Sequence, residues 1–138
     1  MKINKTIKLT LLFVIFFQTG LISQTTDINH IVIAFKNGDA KKIYESCEDI
    51  VSLQIPDVKG KFSKTQTRQI LEVFFKNHPP VIVKTLKTES NSTINQYSII
   101  EYRSQNKNYN VFIQLKKDQN AFLIQTIQIQ ETKLLNEY

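Results

Sequence analysis

The C-terminal part of the chain constrains the fold most. Four runs rich in β-branched and aromatic residues occupy 81–88, 93–104, 108–117 and 121–130. Only the polar segments ESNS, QNKN and DQN separate them. A parallel connection needs a dozen residues or more, so runs joined this closely must pair antiparallel, as a meander. Ahead of them lies KGKFSKTQTRQILEVFF, residues 59–75. Ser63 with Gln66 three positions on forms a capping box, which starts a helix there. The helix should reach about Lys76 and stop near Asn77, because residues before Pro79 and Pro80 avoid the α region. Its apolar side carries Ile70, Leu71, Val73, Phe74 and Phe75, of which Ile70, Leu71 and Phe74 read as core.

Two helices are expected near the N-terminal end. Thr26 can cap the first, with Asp27 near its positive end and Ile28, Ile31, Val32 and Phe35 on one face. Gly38 suits a left-handed stop, and Asp39 caps a shorter helix that turns Ile43, Tyr44 and Cys47 inward. A strand follows, through Ile50 or Val51, Leu53 and Ile55, ended by Pro56, with a turn at 57–60. The order is α-α-β-α-β-β-β-β. It predicts an α+β fold, with N-terminal helices packed on a curved antiparallel sheet.

Residues 1–23 stand apart from this domain. Lys2, Lys5 and Lys8 precede the apolar run LTLLFVIFF, and Ser23 offers a small residue before Gln24. This is the pattern of a secretory signal peptide cleaved after Ser23. The run of nine is short of the roughly 20 residues that span a bilayer. The expected mature chain, 24–138, is a single exported domain, periplasmic or secreted, with no membrane span. Its formal charge drops from +6 to +3, because three lysines leave with the signal. That removes most support for a nucleic-acid partner. Cys47, the one cysteine of the chain, has no internal partner and reads as a small buried apolar residue rather than a reactive thiol.

The order resembles the nuclear transport factor 2-like, or ketosteroid isomerase-like, cone (a cystatin-like layer arrangement). At closer range the chain is similar to the bacterial family known as domain of unknown function 4783. The likeness is carried by Ala34, Phe35, Lys36, Gly38, Asp39 and Ala40 in the first helix pair. It continues through Gly60, Ser63, Gln66, Ile70, Leu71, Phe74 and Phe75, then Pro79 and Pro80. Tyr109, Val111, Leu115, Lys116 and Lys117 complete it. The resemblance implies the fold and export, and it implies no activity.

Such a cone hosts enzymes, binding modules and dimerisation domains, so function rests on the residues. An acid–base isomerase needs a carboxylate base and an acidic donor in one cavity. Glu48, Asp49 and Glu101 are the candidate carboxylates, and Tyr44, Tyr97 and Tyr102 the candidate donors. Tyr97 and Tyr102 are an odd number apart, so a regular strand points them to opposite sides. His30 and His78 are distant in sequence and form no metal-binding spacing, so neither a metal nor a cofactor is expected. His78 reads as a cation at a helix C-terminus. Lys59, Lys61, Lys64 and Arg68 form a basic patch read as a solvated face, and the NST triplet at Asn91 as a turn. Phe35, Tyr44 and Phe75 are the expected apolar pocket wall. The reading is a non-catalytic domain that binds a small apolar ligand or a protein partner. The alternatives are a homodimeric scaffold, built on apolar residues such as Val111, Ile113, Leu115 and Phe112 on the two sheet faces, and an acid–base enzyme of the ketosteroid isomerase type.

Overall fold

The computed structural model describes residues 27–133. The expected signal peptide, Thr26 and the tail from Leu134 onward lie outside the described residues. Helix α1 (Ile28–Asn37) is capped by Asp27, whose carboxylate accepts from the Asn29 backbone N–H at 3.2 Å. The cap is therefore Asp27 rather than the expected Thr26; its negative charge also suits the positive helix end. Ile28, Ile31, Val32, Ala34 and Phe35 face inward and are buried. Gly38 stops the helix at φ 62°. Its N–H reaches the Phe35 carbonyl at 3.2 Å and the Asp39 N–H reaches Ala34 at 2.9 Å, which is a Schellman closure. Any other residue at Gly38 would be strained at that φ.

Asp39 then caps α2 (Ala40–Glu45) by accepting from the Lys42 N–H at 3.0 Å. Strand β1 (Cys47–Ile55) follows, with Val51 and Leu53 buried. Pro56 and Asp57 make a two-residue turn, and the chain returns as β2 (Val58–Ser63). Residues 58–60, read from the sequence as part of a turn, are thus strand, paired from Ile55 with Val58 to Ile50 with Ser63. Ser63 caps α3 (Lys64–Asn77), and its capping box with Gln66 is complete. The last four strands are β3 (Ile82–Glu89), β4 (Asn95–Arg103), β5 (Asn108–Asp118) and β6 (Ala121–Thr132). They form the expected antiparallel meander. The anticipated order is present, with β2 added to it.

The six strands make one sheet in the order β2-β1-β6-β5-β4-β3. One pair is parallel: β6 runs alongside β1, with Leu53 opposite Ile127. The sheet is therefore mixed at that seam, because β1 reaches its neighbour through the intervening helix and meander rather than a hairpin. Pairing skips Gln125 in β6 and Leu86 in β3, leaving a bulge in each. Bulges bend and twist a strand, which curves this sheet around the helices. The skip also explains how Ile124 and Ile127, an odd number apart, both point inward.

The core lies between the helices and the concave face. Ile100, Tyr102, Tyr109, Val111, Ile113, Leu115, Ile124 and Ile127 form its floor, and Phe35, Leu71, Phe74 and Phe75 its roof. Val111, Ile113 and Leu115 share the inner face, with Phe112 half-buried on the outer one. No described helix is long and apolar enough to cross a membrane.

Two core positions generate expectations. Leu71 is fully buried, so Leu71→Ala should cost about 2–5 kcal/mol in chemical denaturation. Thr67 is also fully buried, and its hydroxyl has no hydrogen-bond partner. Thr67→Val keeps the shape and removes the orphan group, so it should raise stability by about 1 kcal/mol. Cys47 is buried, and its thiol donates to the Ile43 carbonyl at 3.2 Å. Burial pushes the thiol up from 9.0 to about 12, with Lys64 pulling slightly the other way. The folded thiol keeps a proton that the unfolded chain loses, so its contribution is full below pH 9 and fades as pH rises towards 12. Denaturation midpoints should fall across that window, and Cys47→Ala should make the fall shallower. A thiol reagent at pH 8 should label Cys47 only after unfolding.

Candidate functional site

An α-helix turns 100° per residue, so Ile70, Leu71, Val73, Phe74 and Phe75 spread over an arc of about 200°. A helix lying on a core needs roughly half of that. The structure divides the arc. Leu71, Phe74 and Phe75 face the sheet and are buried. Ile70 is half-buried, and Val73 is 59% exposed, so Val73 does not belong to the core. The remainder of the arc is one wall of an apolar cleft of about 420 Å³. The opposite wall is the end of the β1–β2 hairpin, with Ile55, Pro56, Asp57 and Val58. Phe74 forms the floor, and His78 and Lys107 stand at the rim.

The floor is held rigidly. Phe74 packs against Tyr109 at 5.3 Å, Tyr102 at 5.7 Å, Phe75 at 5.8 Å and His78 at 5.2 Å between ring centroids. The Tyr102 hydroxyl donates to the backbone carbonyl of His78, which ties the end of α3 to β4. Burial pushes the Tyr102 phenol well above its ordinary value, and the neighbouring Tyr109 adds to this. Burial raises Tyr109 as well. A phenol so held donates to the backbone and is a poor proton source for a substrate. His78 packs edge-on to Tyr109 at 5.5 Å; it caps the C-terminus of α3, the place the sequence reading gave it.

The three residues expected to wall a pocket do not meet around one. Phe35 is fully buried and touches Phe75 edge-on, with centroids 5.6 Å apart. Their contact fills the space between α1 and α3. Phe75 is almost fully buried and borders an open groove of about 550 Å³ beside Gly38, Lys76, Pro79 and Pro80. Tyr44 is half-buried rather than turned fully inward. Lys64 and Arg68 lie over its ring at 5.5 and 5.8 Å. An aromatic body with a polar tip suits that seat beneath two cations.

The candidate acid–base groups are likewise dispersed. The Asp49 side chain is 94% exposed and lies 3.5 Å from Lys64. Glu101 is on the outer sheet face, bonded to Arg103 at 2.7 Å. Tyr97 is on that outer face and Tyr102 on the inner one, as their spacing requires. Glu45, Glu48, Asp49 and Asp118 border a third, polar depression with Lys64. Among the described residues, no group of three or more His, Cys, Asp or Glu side chains is placed to hold a metal ion. His30 is exposed on α1.

The sequence reading missed the cleft. Its one visible signal was Val73, which is too far around α3 to share the Leu71 and Phe74 seat. Pro56, Val58 and Lys107 carry no such signal, because the β1–β2 hairpin and the β4–β5 turn bring them there.

The comparisons agree with this architecture. A crystal structure of a DUF4783 family protein from Bacteroides uniformis matches with a TM-score of 0.74 at 22% identity. The match covers 78% of this chain and 99% of that one. A second DUF4783 protein, from Bacteroides ovatus, matches with a TM-score of 0.72 at 22% identity, over 80% and 98% of the two chains. An NTF2-like protein of unknown function from Silicibacter pomeroyi matches with a TM-score of 0.54 at 8% identity, over 94% and 100%. The fold is NTF2-like, as the order of elements implied. The search of curated proteins found no match. The sequence profile described as domain of unknown function (DUF4783) covers residues 28–130, so the chain belongs to that family.

Proposed function

We propose that the chain is an exported, non-catalytic binding domain that takes a small apolar molecule in the cleft between α3 and the β1–β2 hairpin. The observation that carries this reading is the cleft itself: about 420 Å³, floored by Phe74 and walled by Ile55, Val58, Ile70 and Val73. A mostly apolar concavity with a few polar groups at its rim is the usual form of a small-molecule site. Export is supported by the charged and apolar pattern of residues 1–23. An enzyme of the ketosteroid isomerase type has less support, because the candidate groups do not converge in one cavity: Asp49 is exposed, Glu101 is paired with Arg103, and the Tyr102 hydroxyl donates to the His78 carbonyl.

A second reading, a homodimeric scaffold, rests on the outer sheet face. Tyr97 stacks near Phe112 with centroids 6.0 Å apart, and Ile99 pairs across from Phe112. All three are half-buried with no described layer over them. Apolar surface of this kind is a common site of sheet-to-sheet association.

Native mass spectrometry of the mature protein, purified from the periplasm of its producing bacterium, separates these readings. The expected result is a retained small molecule that Val73→Asp removes, with affinity reduced at least about tenfold by a charge in the apolar wall. Val73 is exposed, so the variant should fold. A protein that is empty, and that binds no apolar probe in the cleft, overturns the proposal. An empty dimer that Phe112→Lys converts to a monomer would install the scaffold reading instead.

A further inference from the structure

The polar rim of the cleft between α3 and the β1–β2 hairpin is unevenly charged. Lys107 and Asp57 both line it. The Lys107 ammonium, however, bonds Glu131 at 2.8 Å. Glu131 stands opposite Tyr109 in the β5–β6 pair, and Tyr109 packs against Phe74 and His78, so this carboxylate lies beside the cleft floor. By accepting that hydrogen bond Glu131 holds the Lys107 ammonium above its ordinary pKa, and Asp57 adds to the effect. Burial raises the Tyr109 phenol; Lys107 opposes this, and Glu131 and Asp57 both add to it. The fields of the two carboxylates therefore meet at one place. Among the described residues Asp57 forms no ion pair, so two carboxylates stand against one ammonium. The whole chain carries a formal net charge of +6, which makes the negative rim a local feature. Lys59 follows Val58 directly and so points to the other face of β2. Lys76 borders the groove beside Gly38 instead.

We infer that the cleft takes an apolar molecule bearing one protonated amine, with its hydrocarbon body against Val58, Ile70 and Val73 and its ammonium directed to Asp57 and Glu131. This rests on the cleft being a small-molecule site and adds the charge of its ligand. An ammonium at the rim meets two carboxylates that Lys107 only half neutralises. A carboxylate ligand would have to displace Glu131 from Lys107 and would still face Asp57. Selection by charge at a rim works as much by repelling the wrong ligand as by attracting the right one. Lys107 itself illustrates the pairing: an alkyl chain at the rim ends in an ammonium held by a carboxylate.

Paired titrations of the mature protein with hexylamine and hexanoate test the charge preference. The two probes are close in length, opposite in charge and both ionised at pH 8. Followed by the Val58 and Val73 methyl signals at low ionic strength, hexylamine should bind at least about fivefold tighter than hexanoate. Added salt should shrink that ratio. Asp57→Asn with Glu131→Gln should bring it to about one or below, because Lys107 is then the charge left at the rim. Both positions are exposed, so the double variant should fold. Equal affinities, tighter hexanoate, or a ratio that the double variant leaves unchanged overturns the inference. If toluene saturates the cleft while the two ions do not differ, the small-molecule reading stands and the amine preference fails. If no probe saturates the Val58 and Val73 signals, toluene included, the cleft reading fails and this inference with it.

Discussion

Everything in this domain depends on how α3 meets the concave face of the sheet. Phe74 is the point of contact: one ring packs against Tyr102, Tyr109, Phe75 and His78 together. Offset and edge-on aromatic pairs each add about 0.5–1.5 kcal/mol beyond the burial of their surface. Such a cluster also fixes direction, because rings accept few relative orientations. The bond from the Tyr102 hydroxyl to the His78 carbonyl satisfies one of the free carbonyls at the end of the helix. The same residues therefore set the angle of α3, end it, and lay the floor of the cleft.

The width of the apolar arc on α3 then becomes functional. A helix that only roofed a core would need Leu71, Phe74 and Phe75. The additional Ile70 and Val73 would meet water unless something faced them, and the β1–β2 hairpin stands opposite without closing onto them. The bulges at Leu86 and Gln125 contribute by curving the sheet on which the helix lies. Core packing and cleft are thus two halves of a single surface, separated by one residue's rotation along the helix.

What the sequence disclosed was local chemistry. The capping box of Ser63 and Gln66, the Gly38 stop, the Asp39 cap and the meander turns all depend on residues a few positions apart, and each is present. What it concealed depended on distant partners. Strand β2 contains Lys59-Gly60-Lys61, a poor strand by composition, and exists because β1 supplies its hydrogen bonds. The parallel seam between β1 and β6 joins segments some 70 residues apart, which no local pattern marks. The pocket residues were misjudged for a related reason. Phe35, Tyr44 and Phe75 are all aromatic, but Phe35 and Phe75 pack together and Tyr44 serves two cations at the surface. Smaller residues, Val58, Ile70 and Val73, form the open site.

The central claim is that α3 is welded to the core on one side and presents a receptive apolar wall on the other. A methyl NMR titration of the mature protein with toluene tests it most directly. Saturable shifts at Ile55, Val58, Ile70 and Val73, with Leu71 and Ile100 unmoved, are the result this account predicts. Shifts that fail to saturate, or that gather on Ile99 and the outer sheet face, would contradict it.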